Sequence, residues 1–232
     1  MDYKKIALLL GAAFLAYKFL YRPAEVDYGQ YTGASESAPD LTGREVVGHL
    51  LIYLRTRSYA AGHGFVLNAN SQKYVVSASH VIAGSFKDVD SVDVISGTRA
   101  IVSNAKPAIG PSYSTCDMND AGRDVTFYAT ESVLSGGDIS LGAAPPQAGQ
   151  NVWLLCTQGS GGEEKKLIPA EVTSSSNRAL QYRFLSGVSF QGTSGCPVIN
   201  SAKQLVGVNV CGHAQAGLAV PIPTILASLN EI

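Results

Sequence analysis

The chain has 232 residues, with 17 Lys and Arg against 18 Asp and Glu, a net charge of −1 and 46% hydrophobic residues. That length suits one catalytic domain, or two small units packed as one, with ample apolar matter for a core. The near-neutral balance removes the electrostatic reason to expect nucleic acid as a partner, and neither the four histidines nor the four cysteines stand at metal-ligand spacing, so no metal or cofactor is expected.

Residues 6–17 form an almost unbroken apolar run after Lys4 and Lys5; Lys18 interrupts it and Phe19-Leu20-Tyr21 resume it. The strict run is 12 residues long, whereas a membrane-spanning helix takes about 20. With Lys18 snorkelling, the apolar segment reaches Tyr21. A cleaved signal peptide and a soluble N-terminal helix compete with an anchor; the lack of a small-x-small cleavage site favours an uncleaved single-pass anchor over residues 1–22. Lys4 and Lys5 on one side and Lys18 and Arg22 on the other leave the side of the membrane open. Residues 23–45, rich in Pro, Gly, Ser, Asp and Glu, read as a linker.

From residue 46 the pattern is one of short strands, as expected of a chain with 24 glycines, 11 tyrosines and many Val, Ser and Thr residues. Candidates are 46–54, a hairpin of 62–67 and 74–76 turning across 68–73, then 92–95, 100–102 and 125–128. A second group covers 152–156, 167–172, 182–184, 198–199, 205–210 and 218–220. The chain closes on a short helix over 221–229 with Ile225, Leu226 and Leu229 on one face. Many short strands separated by turn signals argue for a sandwich or barrels.

Chemistry concentrates at three points. Gly192-Thr193-Ser194-Gly195-Cys196-Pro197 places a serine on a glycine-flanked turn, where the N–H groups of Gly192 and Ser194 can converge on an oxygen gaining negative charge. Val75-Val76-Ser77-Ala78-Ser79-His80 closes an apolar run on a histidine, and Arg123-Asp124-Val125-Thr126-Phe127 opens one on an aspartate. A serine hydroxyl needs an adjacent base, and a carboxylate holds that base in the right tautomer. His80, Asp124 and Ser194 stand in the chain order of chymotrypsin-type hydrolases, unlike subtilisins or α/β-hydrolases. The separations, 44 residues from 80 to 124 and 70 from 124 to 194, suit a base and orienter from one β-unit meeting a nucleophile from another across a cleft. Each residue also has a bland role: His80 as the cap of a short helix, Asp124 as the start of a strand, Ser194 as ordinary turn chemistry. Asp88, Asp90, Asp93, Asp117, Asp120 and Asp138 compete with Asp124, which the following Val-Thr-Phe-Tyr alternation favours. Ser160, in Gly159-Ser160-Gly161-Gly162 before Glu-Glu-Lys-Lys, reads as a solvated hairpin tip.

These segments together resemble the chymotrypsin-fold serine peptidases, especially the protease domain of the HtrA/Deg family and related bacterial trypsin-like peptidases. Gly62-His63-Gly64-Phe65 resembles that family's Gly-Ser-Gly-Phe strand. The segments around His80, Asp124 and Ser194 resemble its catalytic motifs, and 205–210 with 217–222 its terminal strands. The resemblance covers 46–232 and implies an all-β fold of two six-stranded antiparallel barrels with the triad between them. It implies a polypeptide substrate and leaves the oligomeric state open. Two departures stand beside the nucleophile: Cys196 where the family has glycine, expected to pack inward, and Thr193 where it has Asp or Asn. No PDZ domain follows, so peptide-gated regulation is not expected, and no trypsinogen-like activation site is visible.

The substrate pocket would be lined by Val188 on one side and Val210, Gly212 and His213 on the other. The absence of an acid in Gly187-Val188-Ser189-Phe190 argues against an Arg or Lys preference; His213 either faces solvent or reaches the pocket to favour a polar or acidic P1, and small or medium apolar P1 residues are the leading expectation. The functions in view are a membrane-anchored serine endopeptidase, a viral polyprotein-processing protease, and a catalytically silent trypsin-like binding module. Viral enzymes of this kind often carry Gly-x-His on the terminal strand, where Asn209 stands here. Cys116, Cys156, Cys196 and Cys211 are too scattered for a disulfide scaffold; a Cys196–Cys211 bridge would be out of register, so free buried thiols are expected.

Overall fold

The computed structural model describes residues 38–39, 47–55, 57–82, 85–109, 121–131, 133–134, 137–158, 164–185, 192–213 and 215–232. Outside them lie the expected anchor, most of the linker, Cys116, Asp117, Asp120, Ser160 and Val188; the side chain of His213 is likewise not described. Among the described residues no helix is long and apolar enough to cross a membrane.

The first six strands are β1 (Val47–Leu54), β2 (Ser58–Ala69), β3 (Gln72–Ser77), β4 (Val89–Ser96), β5 (Arg99–Ile109) and β6 (Thr126–Thr130). They run in the order β1-β4-β5-β6-β3-β2, and β2 pairs antiparallel with β1, closing a six-stranded barrel. Tyr74, Val75, Val76 and Ser77 of β3 are all buried, because the strand lies between β2 and β6 and both of its faces are covered. The expected hairpin forms with Ala69 opposite Gln72. Its two-residue turn has positive φ at Asn70 (53°) and Ser71 (62°), the twist that suits right-handed strands.

The remaining strands are β7 (Ile139–Leu141), β8 (Asn151–Gln158), β9 (Glu164–Ser175), β10 (Leu180–Phe184), β11 (Pro197–Ile199), β12 (Gln204–His213) and β13 (Ala216–Pro221). Six of them run β12-β11-β8-β9-β10-β13, and β13 pairs with β12. Val152, Leu154, Ile168, Tyr182, Phe184 and Val198 pack together between them, with the Tyr182 and Phe184 rings edge-to-face at 5.3 Å. β7, absent from the sequence expectations, is too short to show a period; it pairs in parallel with both β2 and β12 and so joins the two groups of strands.

The terminal helix, α1 (Ile222–Leu229), corrects one expectation. Its buried face is Ile222, Ile225, Ser228 and Leu229, and Leu226 is 41% exposed. Positions 222, 225 and 229 follow the i, i+3, i+7 spacing of one helical face, which leaves 226 on its flank.

Candidate active site

His80 leaves β3 almost directly. The expected short helix is one 3₁₀ turn, Ser79–Val81, in which Ser79 and Val81 are buried and the His80 side chain stays one-third exposed (33%). Asp124 precedes β6 and is itself 1% exposed. Its loop is tied down by the Ala121 N–H donating to the Arg178 carbonyl (3.0 Å) and by Arg123, whose guanidinium donates to the Ser228 hydroxyl of α1 (3.3 Å).

The Asp124 carboxylate accepts twice from His80, from the backbone N–H at Oδ1 (2.9 Å) and from Nδ1 at Oδ2 (2.7 Å). A carboxylate can only accept, so Nδ1 carries the proton and Nε2 turns a lone pair to the Ser194 hydroxyl, 2.8 Å away. Three of the described competing acids are engaged elsewhere: Asp138 pairs with Lys73 at 3.0 Å, Asp90 with Lys106 at 3.8 Å, and Asp93 accepts from the Tyr53 hydroxyl at 2.9 Å.

The nucleophile turn depends on two glycines with left-handed backbone, Gly192 (φ 84°) and Gly195 (φ 86°). A Cβ on Gly195 would stand 2.1 Å from the His63 carbonyl oxygen, whereas one on Gly192 would meet nothing within 4 Å among the described residues. Gly62, across from the turn, is also tightly placed, with a Cβ position 2.7 Å from the Ser194 carbonyl oxygen. The His63 N–H donates to that same oxygen (2.8 Å).

Both carbonyls that precede Ser194 are held from the interior. The Thr193 oxygen accepts from Cys196 N–H (3.0 Å) and from Asn209 Nδ2 (2.9 Å), and Asn209 in turn accepts from the Tyr182 hydroxyl (2.6 Å). Because the peptide is planar and trans, a Thr193 carbonyl aimed inward turns the Ser194 N–H outward, toward the cleft. The Gly192 oxygen lies 2.7 Å from His63 Nδ1.

The trypsin-like peptidase domain model matches residues 62–208, more than half of the chain and all three of these loops. The chain belongs to that family. Membership places it among the serine endopeptidases of chymotrypsin-like fold. The peptidase domain is also 29% identical over 196 residues to the Do-like serine protease HtrA of Lactobacillus helveticus, a match that covers 77% of this chain and 44% of that protein. The chain thus spans less than half the length of that relative. Among solved structures it is similar to the active form of the Rv3671c protease of M. tuberculosis, with a TM-score of 0.60 at 19% identity over 84% of this chain and 88% of the other. It is also similar to a serine endoprotease from Yersinia pestis, with a TM-score of 0.58 at 17% identity over 82% of this chain and 63% of the other.

In the peptidase domain the structure brings His80, Asp124, Ser194 and Gly192 together and places Val210 of β12 beside them, its carbonyl 3.5 Å from the Ser194 hydroxyl. The Val210 side chain is buried, and Gly212 lies further along the same strand. Cys196 packs inward as expected, fully buried among Cys156, Tyr182 and Val198. Burial pushes its thiol well above the ordinary value, so it stays neutral beside the nucleophile. The expectation of four free thiols is corrected: Cys156 and Cys196 are free, but Cys211 is disulfide-bonded. Register keeps Cys196 out of that bond, since Pro197 pairs with Val208 and Cys196 therefore faces Asn209. A bridge between distant positions leaves no spacing signature in a sequence.

Sequence reasoning passed over His63 and treated Asn209 only as a departure from a viral pattern. Asn209 is fully buried beneath the nucleophile turn. The available signal was two polar side chains inside otherwise apolar strands, since buried polar groups need partners.

Proposed function

We propose that this chain is a membrane-anchored serine endopeptidase that cleaves peptide bonds through an acyl-enzyme, with Ser194 as nucleophile, His80 as general base and Asp124 as its orienter. The observation that carries the reading is the unbroken hydrogen-bonded chain from the buried Asp124 carboxylate through Nδ1 and Nε2 of His80 to the Ser194 hydroxyl. Ser194 Oγ attacks the scissile carbonyl carbon and passes its proton to His80 Nε2, and Asp124 stabilises the imidazolium that results. The N–H groups of Gly192 and Ser194 receive the oxyanion. The tetrahedral adduct collapses as His80 donates its proton to the leaving amine, and water, activated by the same imidazole, then hydrolyses the ester. The β12–β13 pairing supports reading the second group of strands as the second barrel of the fold. The inward packing of Cys196 removes the reason to regard the site as silent.

Anchoring rests on the apolar run at 6–17 with its flanking lysines, and small or medium apolar P1 residues on Val210 and Gly212 in the wall of β12. The decisive experiment is fluorophosphonate labelling of the full chain with peptide mass spectrometry, using Ser194→Ala as control. Adduct at Ser194 alone supports the mechanism; folded protein that takes no label overturns it. Carbonate extraction of membranes tests the anchor: protein that leaves with the carbonate wash is not a spanning one.

A further inference from the structure

We propose that His63 is a positioning residue for the reaction: by holding the Gly192 carbonyl inward it fixes the Gly192–Thr193 peptide, the link between the two N–H groups proposed to bind the oxyanion. The proposal rests on the triad reading above and concerns a side chain that touches neither substrate nor triad.

His63 lies on β2, 3% exposed, 129 residues before the glycine it contacts. Its ring is saturated by specific partners. The Gly192 carbonyl at Nδ1 (2.7 Å) can only accept, so that nitrogen bears the proton. Nε2 then accepts from the Thr157 hydroxyl (2.8 Å) and, more weakly, from the Thr157 backbone N–H (3.3 Å) on β8. Nε2 also lies 3.3 Å from the Thr157 carbonyl oxygen, and the neutral Nδ1–H tautomer is the one that satisfies the two shortest contacts, to the Gly192 carbonyl and the Thr157 hydroxyl. The ionisable side chain stacked against the ring is His49 of β1, with centroids 4.7 Å apart. Burial first, and the neighbouring His49 second, lower the His63 pKa to about 4. The ring therefore remains in the donor–acceptor form its partners demand at pH values well above 4.

The turn needs such a clamp. The peptide that bears the Ser194 N–H is already held by Asn209 through the Thr193 carbonyl. The Gly192 N–H lies one rotation further back, at a residue without a Cβ and with nothing within 4 Å of where one would stand. A glycine joint has little steric resistance to reorientation. The His63 hydrogen bond holds the adjoining carbonyl inward; with that bond absent, the carbonyl can swing toward the cleft and present an acceptor where the reaction needs donors. His63 and Asn209 thus secure two successive carbonyls from the two groups of strands, and with them the backbone that joins the Gly192 and Ser194 N–H groups.

The test is the second-order rate of phosphonylation of Ser194 by a fluorophosphonate, whose phosphoryl oxygen occupies the oxyanion position, in full-length wild type, His63→Leu and His63→Asn. Leucine removes the donor; asparagine keeps it, since its amide nitrogen lies close to the place of Nδ1. Direct loss of an oxyanion donor costs about 10²–10³-fold, so a Gly192 carbonyl free to turn toward the oxyanion in His63→Leu is expected to slow labelling about 10–100-fold, with His63→Asn within about threefold of wild type. Equal rates in wild type and folded His63→Leu, or equal slowing in both variants, overturn the proposal. Wild type that takes no label overturns the triad reading instead. Should His63→Leu not fold, long-range proton–nitrogen NMR of the wild-type imidazoles decides: Nδ1–H at His63 from pH 8 to pH 5 is expected, and an Nε2–H tautomer or an imidazolium at pH 6 refutes it.

Discussion

Asp124→Asn isolates what the carboxylate contributes, because the change is isosteric and the site leaves the amide only two poses. The His80 backbone N–H donates to Oδ1 (2.9 Å), so an asparagine that keeps this bond turns its NH₂ toward His80 Nδ1. The imidazole must then accept at Nδ1 and carry its proton on Nε2, where it faces the Ser194 hydroxyl and cannot take its proton. The flipped amide restores the productive tautomer but sets NH₂ against the backbone N–H, leaving two buried donors unpaired at about 1–3 kcal/mol each. Either way the imidazolium formed in the transition state loses an anion; two unit charges about 4 Å apart interact by about 4 kcal/mol at an effective dielectric of 20. These terms overlap, and a loss of about 5–6 kcal/mol, or about 10⁴-fold in kcat, is expected with KM little changed. The assay is steady-state hydrolysis of a chromogenic peptide selected from a library, with urea unfolding to show that the variant is folded. A folded Asp124→Asn within tenfold of wild-type kcat refutes the assignment of the acid.

The remaining predictions concern the frame around the nucleophile. Gly195→Ala should abolish folding or lower stability by about 3 kcal/mol or more, since its Cβ would overlap the His63 carbonyl at 2.1 Å in a left-handed backbone; a thermal melt unchanged from wild type contradicts it. Asn209→Leu leaves the Tyr182 hydroxyl without its acceptor and removes a donor from the Thr193 carbonyl. Urea unfolding should register a loss of about 2–6 kcal/mol, with a smaller loss in Tyr182→Phe. For pH, the folded pKa of His63 of about 4 lies below the unfolded value of about 6.5. The unfolded chain therefore binds more protons between these values, and stability is full above about pH 6.5 and lost as pH falls through about 4. The contribution is of order 3 kcal/mol. The wild-type excess over His63→Leu in unfolding free energy should shrink by that order between pH 7 and pH 4; a pH-independent difference rules it out.

Much of the site was legible because its chemistry is local. A glycine-flanked serine, a histidine ending an apolar strand and an aspartate opening another are each written in a few consecutive residues, and their order restricts the hydrolase class. The longer strands were legible for the same reason: β3 buries Tyr74 to Ser77 and β8 buries Asn151 to Thr157, so each carries a mostly apolar run. β7 was not, because three residues hold no period and the strand exists through its partners. Leu226 misled for a related reason, since apolar character does not say on which flank of a helix a residue stands.

By itself, then, the amino-acid sequence determined the β class, the positions of a glycine-flanked serine, a strand-ending histidine and a short set of candidate aspartates, and an apolar N-terminal segment, since propensity, turn chemistry and short motifs act over neighbouring residues. Tertiary structure alone decided which aspartate meets the imidazole, that Cys211 is bridged and Cys196 is not, and that His63 and Asn209 hold the carbonyls of the nucleophile turn. Each of those outcomes depends on strand register and on contacts between residues far apart in the chain, such as the 129 positions between His63 and Gly192. A shift of one residue along any of the strands concerned turns the side chain to the opposite face.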